Sequence, residues 1–135
     1  MIREYLKRLE AVLASYQWVK TIHVLRCDII ETEQEQILTY RFRVVLEGNA
    51  LLELMERVVN AKDEPESHTM AYRFHWQDRN GALIKRWDSA PHFPNLAGFP
   101  DHIHVGEGAS VEPGKPINCL RVLGEIDREL SYESS

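Results

Sequence analysis

Tyr72 to Asp88 reads YRFHWQDRNGALIKRWD, and the folding of that run settles the architecture. Tyr72, Phe74 and Trp76 alternate with Arg73, His75 and Gln77, the period of two that sends successive side chains to opposite faces of a strand. Asn80-Gly81 follows as the strongest short signal for a hairpin, because such residues accept the positive φ of a tight turn. The return strand runs Ala82 to Asp88. With a two-residue turn, Arg73 faces Asp88 and His75 faces Arg86, which gathers charge and imidazole on one face. A three-residue turn including Arg79 would shift the register and separate those pairs. The chain continues SAPHFPNLAGFPDHIHV, so residues 71–105 hold two Trp, three Arg, three Asp and four His.

Upstream, Leu38, Tyr40, Phe42, Val44 and Leu46 alternate with Thr39, Arg41 and Arg43, a strand with one core face and one wet face. Gly48-Asn49 supplies a turn. Leu51 to Val59, LLELMERVV, fits a helix by propensity and a strand by its short length between two turns. Val19 to Ile30 is β-branched and apolar without clean alternation, as expected of a strand buried on both faces for part of its length. The N-terminal segment has a helical period, with Ile2, Tyr5, Leu6, Leu9, Val12, Leu13 and Tyr16 at three- and four-residue steps. The pattern stops near Gln17.

Downstream, Ser89 to Pro116 carries five Pro and four Gly, which argues against regular structure through most of it. So long a loop is usually functional or disordered, and Phe93, Leu96, Phe99, Ile103 and Val105 indicate a packed one. Asn118 can cap a closing helix with a stripe of Leu120, Leu123, Ile126 and Leu130.

The length of 135 residues suits one domain, residues 1–135, with a single core. A hydrophobic fraction of 44% and 27% charged residues disfavour disorder and fibrous classes. No apolar run is long enough to cross a bilayer and Met1 to Leu9 carries charges throughout, so a cytoplasmic protein without membrane partners is expected. Cys27 and Cys119 lack metal-ligand spacing and read as two buried, reduced thiols. A net charge of −5 draws in no polyanion at long range; a nucleic acid would need a local basic stripe.

Four readings compete for the polar residues of the hairpin and loop. In DHIH, His102 and His104 project to one side if the backbone is extended there, and His92 or Asp101 can complete a metal site. Metal-free cleavage of a phosphodiester needs a base, an acid and a cation. His92, His102 and His104 with Arg73, Arg86 and Asp88 supply that inventory, and Arg41 and Arg43 extend the cationic surface. Trp76, Trp87 or Phe93 can stack on a base, although strand aromatics are more often core residues. Arg73 with Asp88 is more often a cross-strand ion pair than a catalytic pair. Lastly, the aromatic loop can be a patch that a partner protein covers.

From Tyr72 to Gly106 the sequence resembles the TumE family, toxin components of bacterial toxin-antitoxin pairs. The family pattern is an aromatic strand ending HWQD, a short turn, RWDNAPHHP, a spacer and FPHHKH. It is met here by His75, Trp76, Gln77, Asp78, Arg86, Trp87, Asp88, Ala90, Pro91, His92, Pro94, Phe99, Pro100, His102 and His104, and the later Val111 to Pro113 also fits. Ser89, Phe93 and Asp101 depart from it, standing where the family has Asn, His and His. The resemblance covers the second half of the chain closely and the first half in layout. It favours a strand over residues 50–59. The implied fold is α+β: an N-terminal helix, an antiparallel meander of about five strands and a C-terminal helix, both helices on the sheet's apolar face.

The resulting expectation is a toxin that acts on RNA by acid/base cleavage. His92, His102, His104, Arg86 and Asp88 are the catalytic candidates, and Arg73, His75, Trp76 and Trp87 bind substrate. The alternative is a non-catalytic protein-binding module, or a divergent inactive relative whose His-rich loop is structural or metal-binding. No cofactor is expected on the leading reading; His102 and His104 are where a metal would sit on the other. Expected partners are a cognate antitoxin, RNA and a second copy of the chain.

Overall fold

The computed structural model describes residues 2–106, 108 and 110–134. Helix α1 (Ile2–Ser15) leads into strands β1 (Val19–Glu31), β2 (Glu35–Leu46), β3 (Leu51–Ala61), β4 (His68–Gln77), β5 (Leu83–Asp88), β6 (His102–Val105) and β7 (Ser110–Pro113), and α2 (Cys119–Ser134) follows. Each strand pairs antiparallel with the next, in the order of the sequence. The expected meander is present, but the described residues form seven strands rather than about five. The difference lies in the Pro- and Gly-rich segment. Its two four-residue strands, β6 and β7, are too short to leave a period in the sequence.

Both helices cover one face of the sheet. Ile2, Leu9 and Leu13 of α1 and Cys119, Val122, Leu123 and Ile126 of α2 are buried against alternate residues of β2 to β5, among them Tyr40, Phe42, Leu54, Phe74 and Trp87. Burying side chains of that size contributes about 1.5–3 kcal/mol each against the chain entropy, which makes this layer the main stabilising element. The Asn118 side chain accepts the Arg121 N–H at 3.0 Å and caps α2 as expected. Trp18 Nε1 donates to Asp127 at 2.9 Å and ties the entry of β1 to α2.

Leu51–Ala61 is a strand, with Leu52, Leu54 and Val58 on the core face. Two expectations fail at β1. It is an edge strand, exposed apart from Val19 and Ile29, which reach the core, and Cys27 on it is exposed. β1 pairs with β2 alone, at the edge of the sheet. Its apolar residues Ile22, Val24, Leu25 and Ile30 are therefore exposed, while only Cys119 fits the reading of a buried thiol.

One carboxylate lies inside the helix-covered layer. Glu56 is fully buried and accepts hydrogen bonds from Tyr5 Oη at 2.6 Å, Tyr40 Oη at 2.7 Å and Thr69 Oγ1. Burial raises its pKa above the ordinary glutamate value, against the lowering effect of those three donors. A carboxyl raised in this way stabilises the fold most at low pH, and its contribution fades as pH climbs through the folded-state value. Glu56→Gln should therefore gain stability relative to the parent as pH rises, measured by urea unfolding at pH 5 and pH 8. Glu56→Ala strands three hydroxyls and should cost about 2–4 kcal/mol in the same measurement.

Candidate functional site

The uncovered face of the sheet carries the other half of each alternation. Arg73 pairs with Asp88 and His75 with Arg86 between β4 and β5; Asp88 then pairs with His102 and Arg86 with His104 between β5 and β6. Two transverse rows result: Arg73, Asp88, His102 and, beside it, His75, Arg86, His104. The hairpin reaches this register by a different route from the two-residue turn. Asp78 N–H bonds to Ala82 O and Gly81 N–H to Asp78 O, so Arg79, Asn80 and Gly81 form a three-residue turn. A bulge between the Trp76 and Gln77 pairings inserts one residue on β5 and restores the expected pairs.

The three imidazoles beyond Trp87 meet. The His102 and His104 ring centroids are 4.9 Å apart and His92 lies 6.4 Å from His102. Their exposures differ: His102 is 1% exposed, His104 half-buried and His92 exposed. His102 Nδ1 lies 2.9 Å from Pro100 O, so this nitrogen carries the proton. Nε2 is then the lone-pair nitrogen, and it is buried with no partner. Burial holds the His104 pKa below the ordinary imidazole value, with Arg86 adding to the effect, and His104 is neutral at pH 7. His75 is lowered by the same cause, and its Nε2 lies 3.0 Å from Gln77 Oε1. Phe93 takes a positive φ of 56° and sets its ring 5.2 Å from His102 and 6.0 Å from His104, covering the cluster.

A cavity of about 500 Å³ opens beside these groups, lined by Met55, Arg73, Arg86, Asp88, the stretch from Ser89 to Phe93, and His104. No salt bridge neutralises Arg73 or Arg86 among the described residues, so the ion-pair reading of Arg73 with Asp88 fails although the two are paired in register. Asp88 instead accepts the Ala90 N–H at 2.8 Å, turning the chain into the loop. Arg41 and Arg43 do bond, both to Glu53, which limits the cationic surface they were expected to extend. A larger hollow of about 630 Å³ lies around Arg8, His68 and Arg121 and includes none of the clustered imidazoles.

Trp76 and Trp87 do not belong to the site. Both are buried, 3% and 2% exposed, on the helix side of the sheet, so neither presents a face for stacking. The period-two alternation that brings Arg86 and Asp88 to the cavity sends Trp87 to the core. Sequence reasoning overlooked the cover formed by Phe93 and the Pro100 carbonyl that fixes His102; neither has a local signature. Three of the departures from the family pattern have structural uses: Asp101 accepts Tyr72 Oη at 2.6 Å, Ser89 Oγ accepts the Tyr72 N–H at 2.9 Å, and Phe93 packs on the imidazoles.

A family model described as Toxin TumE matches residues 10–130. The chain belongs to the TumE toxin family. No curated protein and no solved structure matches it. The TumE match spans α1 to α2 and so includes every residue of the clustered face. No helix among the described residues is long and apolar enough to cross a membrane.

The segment carrying His102 is held from behind by a glycine contact. A Cβ at Gly114 would meet Asp101 C and His102 N at 2.8 Å, both backbone atoms that cannot yield cheaply. Gly114→Ala should push β6 from its position, costing about 1–3 kcal/mol in urea unfolding. It should also weaken any activity that depends on His102 and His104 acting together.

Proposed function

We propose that this TumE toxin acts on RNA, cleaving it by acid/base chemistry at the cavity under the Ser89 to Phe93 loop, and that a cognate antitoxin restrains it. The reading is carried by one observation: His102, His104 and Arg86 converge beside an open cavity on the uncovered face, with His92 within reach. A neutral His104 can take the proton of a 2′-hydroxyl as that oxygen attacks phosphorus. The 5′-oxygen then leaves with a proton from His92, giving a cyclic phosphate and a free 5′-hydroxyl. Arg86 and Arg73 neutralise the crowded phosphate. His102, buried and fixed by Pro100 O, packs its ring edge-on against His104 with 4.9 Å between centroids.

A second reading, a protein-binding module, draws on Phe93 and Phe99, which are 43% and 44% exposed on the loop. Growth after induction separates the two. Wild-type chain should arrest cells, and His104→Ala and the His102→Ala, His104→Ala double variant should not, with a loss in RNA cleavage of about 100-fold or more. Undiminished toxicity from a folded double variant removes the catalytic reading. Because burial lowers the His104 pKa, the acid limb of the rate-against-pH profile should lie below that of an unperturbed imidazole base.

A further inference from the structure

The geometry points to a divalent transition-metal site formed by Asp88, His102 and His104, of the two-imidazole, one-carboxylate kind that takes zinc or a similar ion. Each residue offers one donor atom, and these donors lie within 4.8 Å of one another. The three sit on adjacent strands at register positions that place Asp88 opposite His102, with His104 two residues further along β6. Nothing in this arrangement depends on the chemistry assigned to the cavity, so the inference goes beyond the RNA reading and does not rest on it.

His102 carries the argument furthest. A buried imidazole nitrogen without a hydrogen-bond partner is costly, and few native groups are left so. His102 Nε2 is such an atom, on a residue 1% exposed, and His102 is one of the three residues whose donor atoms converge. Its other nitrogen, Nδ1, donates to the Pro100 carbonyl at 2.9 Å. That is the outer-shell arrangement of metal-bound histidines: the non-ligating N–H is held by a carbonyl or carboxylate, which fixes the tautomer and aims the lone pair. Asp88 is likewise oriented, by the Ala90 N–H at 2.8 Å.

Donors around a tetrahedral zinc with bonds of about 2.0–2.2 Å stand about 3.3 Å apart, so the cluster closes on an ion by side-chain shifts of about an ångström. Two imidazoles with a carboxylate suit zinc, iron or manganese better than calcium or magnesium, which prefer oxygen donors. Three protein ligands leave a position for an exogenous one. Arg73 and Arg86 on the same flank make an anion the fitting choice for it. A bound ion would also claim the His104 lone pair, so metal-loaded protein cannot use that residue as a base.

The test is zinc titration of chelator-treated full-length protein at pH 7 by isothermal calorimetry, with cobalt as a spectroscopic substitute that reports coordination by its visible bands. One equivalent should bind per chain. Asp88→Asn and His104→Ala should each weaken binding by about 100-fold or more, since even outer-shell losses cost about 10- to 100-fold. His23→Ala and His68→Ala, outside the cluster, should leave it unchanged. Circular dichroism and thermal melts check that each variant folds. Absence of a stoichiometric site, or equal binding by folded Asp88→Asn and His104→Ala, overturns the assignment. RNA cleavage is measured separately: chelator-treated protein that binds zinc yet cuts no RNA sinks the cleavage reading and leaves the metal site standing.

Discussion

Everything at the clustered face depends on the register of three short strands. Antiparallel pairing of β4, β5 and β6 sets Arg73, Asp88 and His102 in one row and His75, Arg86 and His104 in the next. Directly opposed side chains in such a ladder have Cβ atoms about 4.5–5.5 Å apart, which brings imidazole, carboxylate and guanidinium within mutual reach without any loop having to fold over them. A slip of one residue would send every one of them into the helix-covered layer and bring Trp87 out to water. The core anchors the register: Trp87 and Phe74, opposite one another, are buried on the far side.

Much of this was legible in the sequence, because the alternation of β2 and β4 and the helical stripe near the N-terminus are strong periodic signals. The pairs Arg73 with Asp88 and His75 with Arg86 followed from assuming a two-residue turn, and they hold although the turn has three residues. A turn offset and a bulge of opposite effect cancel, and neither leaves a trace in composition. What could not be read was whatever depends on long-range contacts. β6 and β7 pair beyond β5, and at four residues each they are too short to be told from loop by their own pattern. The exposure of β1 likewise reflects its place at the end of the sheet, and its apolar residues alone pointed the other way.

The loop between β5 and β6 shows how a Pro- and Gly-rich segment becomes a fixed wall. Asp101 anchors it to Tyr72, Ser89 fastens its start to the same tyrosine, and Gly98 and Gly114 approach one another so closely that a Cβ on Gly98 would strike the Gly114 carbonyl at 2.3 Å. These contacts are polar or steric rather than hydrophobic, so the loop is positioned with little core of its own. His102 inherits that placement through its bond to Pro100. The imidazole cluster is thus built from one rigid side, the β5 ladder, and one side pinned at a few points.

The sheet's two rims are unequal. β7 ends the array with four residues closing on Pro113, which lacks a donor, whereas β1 presents a run of 13 residues. Irregularities between Val19 and Thr21 and between Val24 and Arg26 break that longer rim into pieces. The longest evenly paired span is Arg26 to Glu31, so a foreign strand laid along this border would find about six residues to grip before an irregularity re-aims the edge.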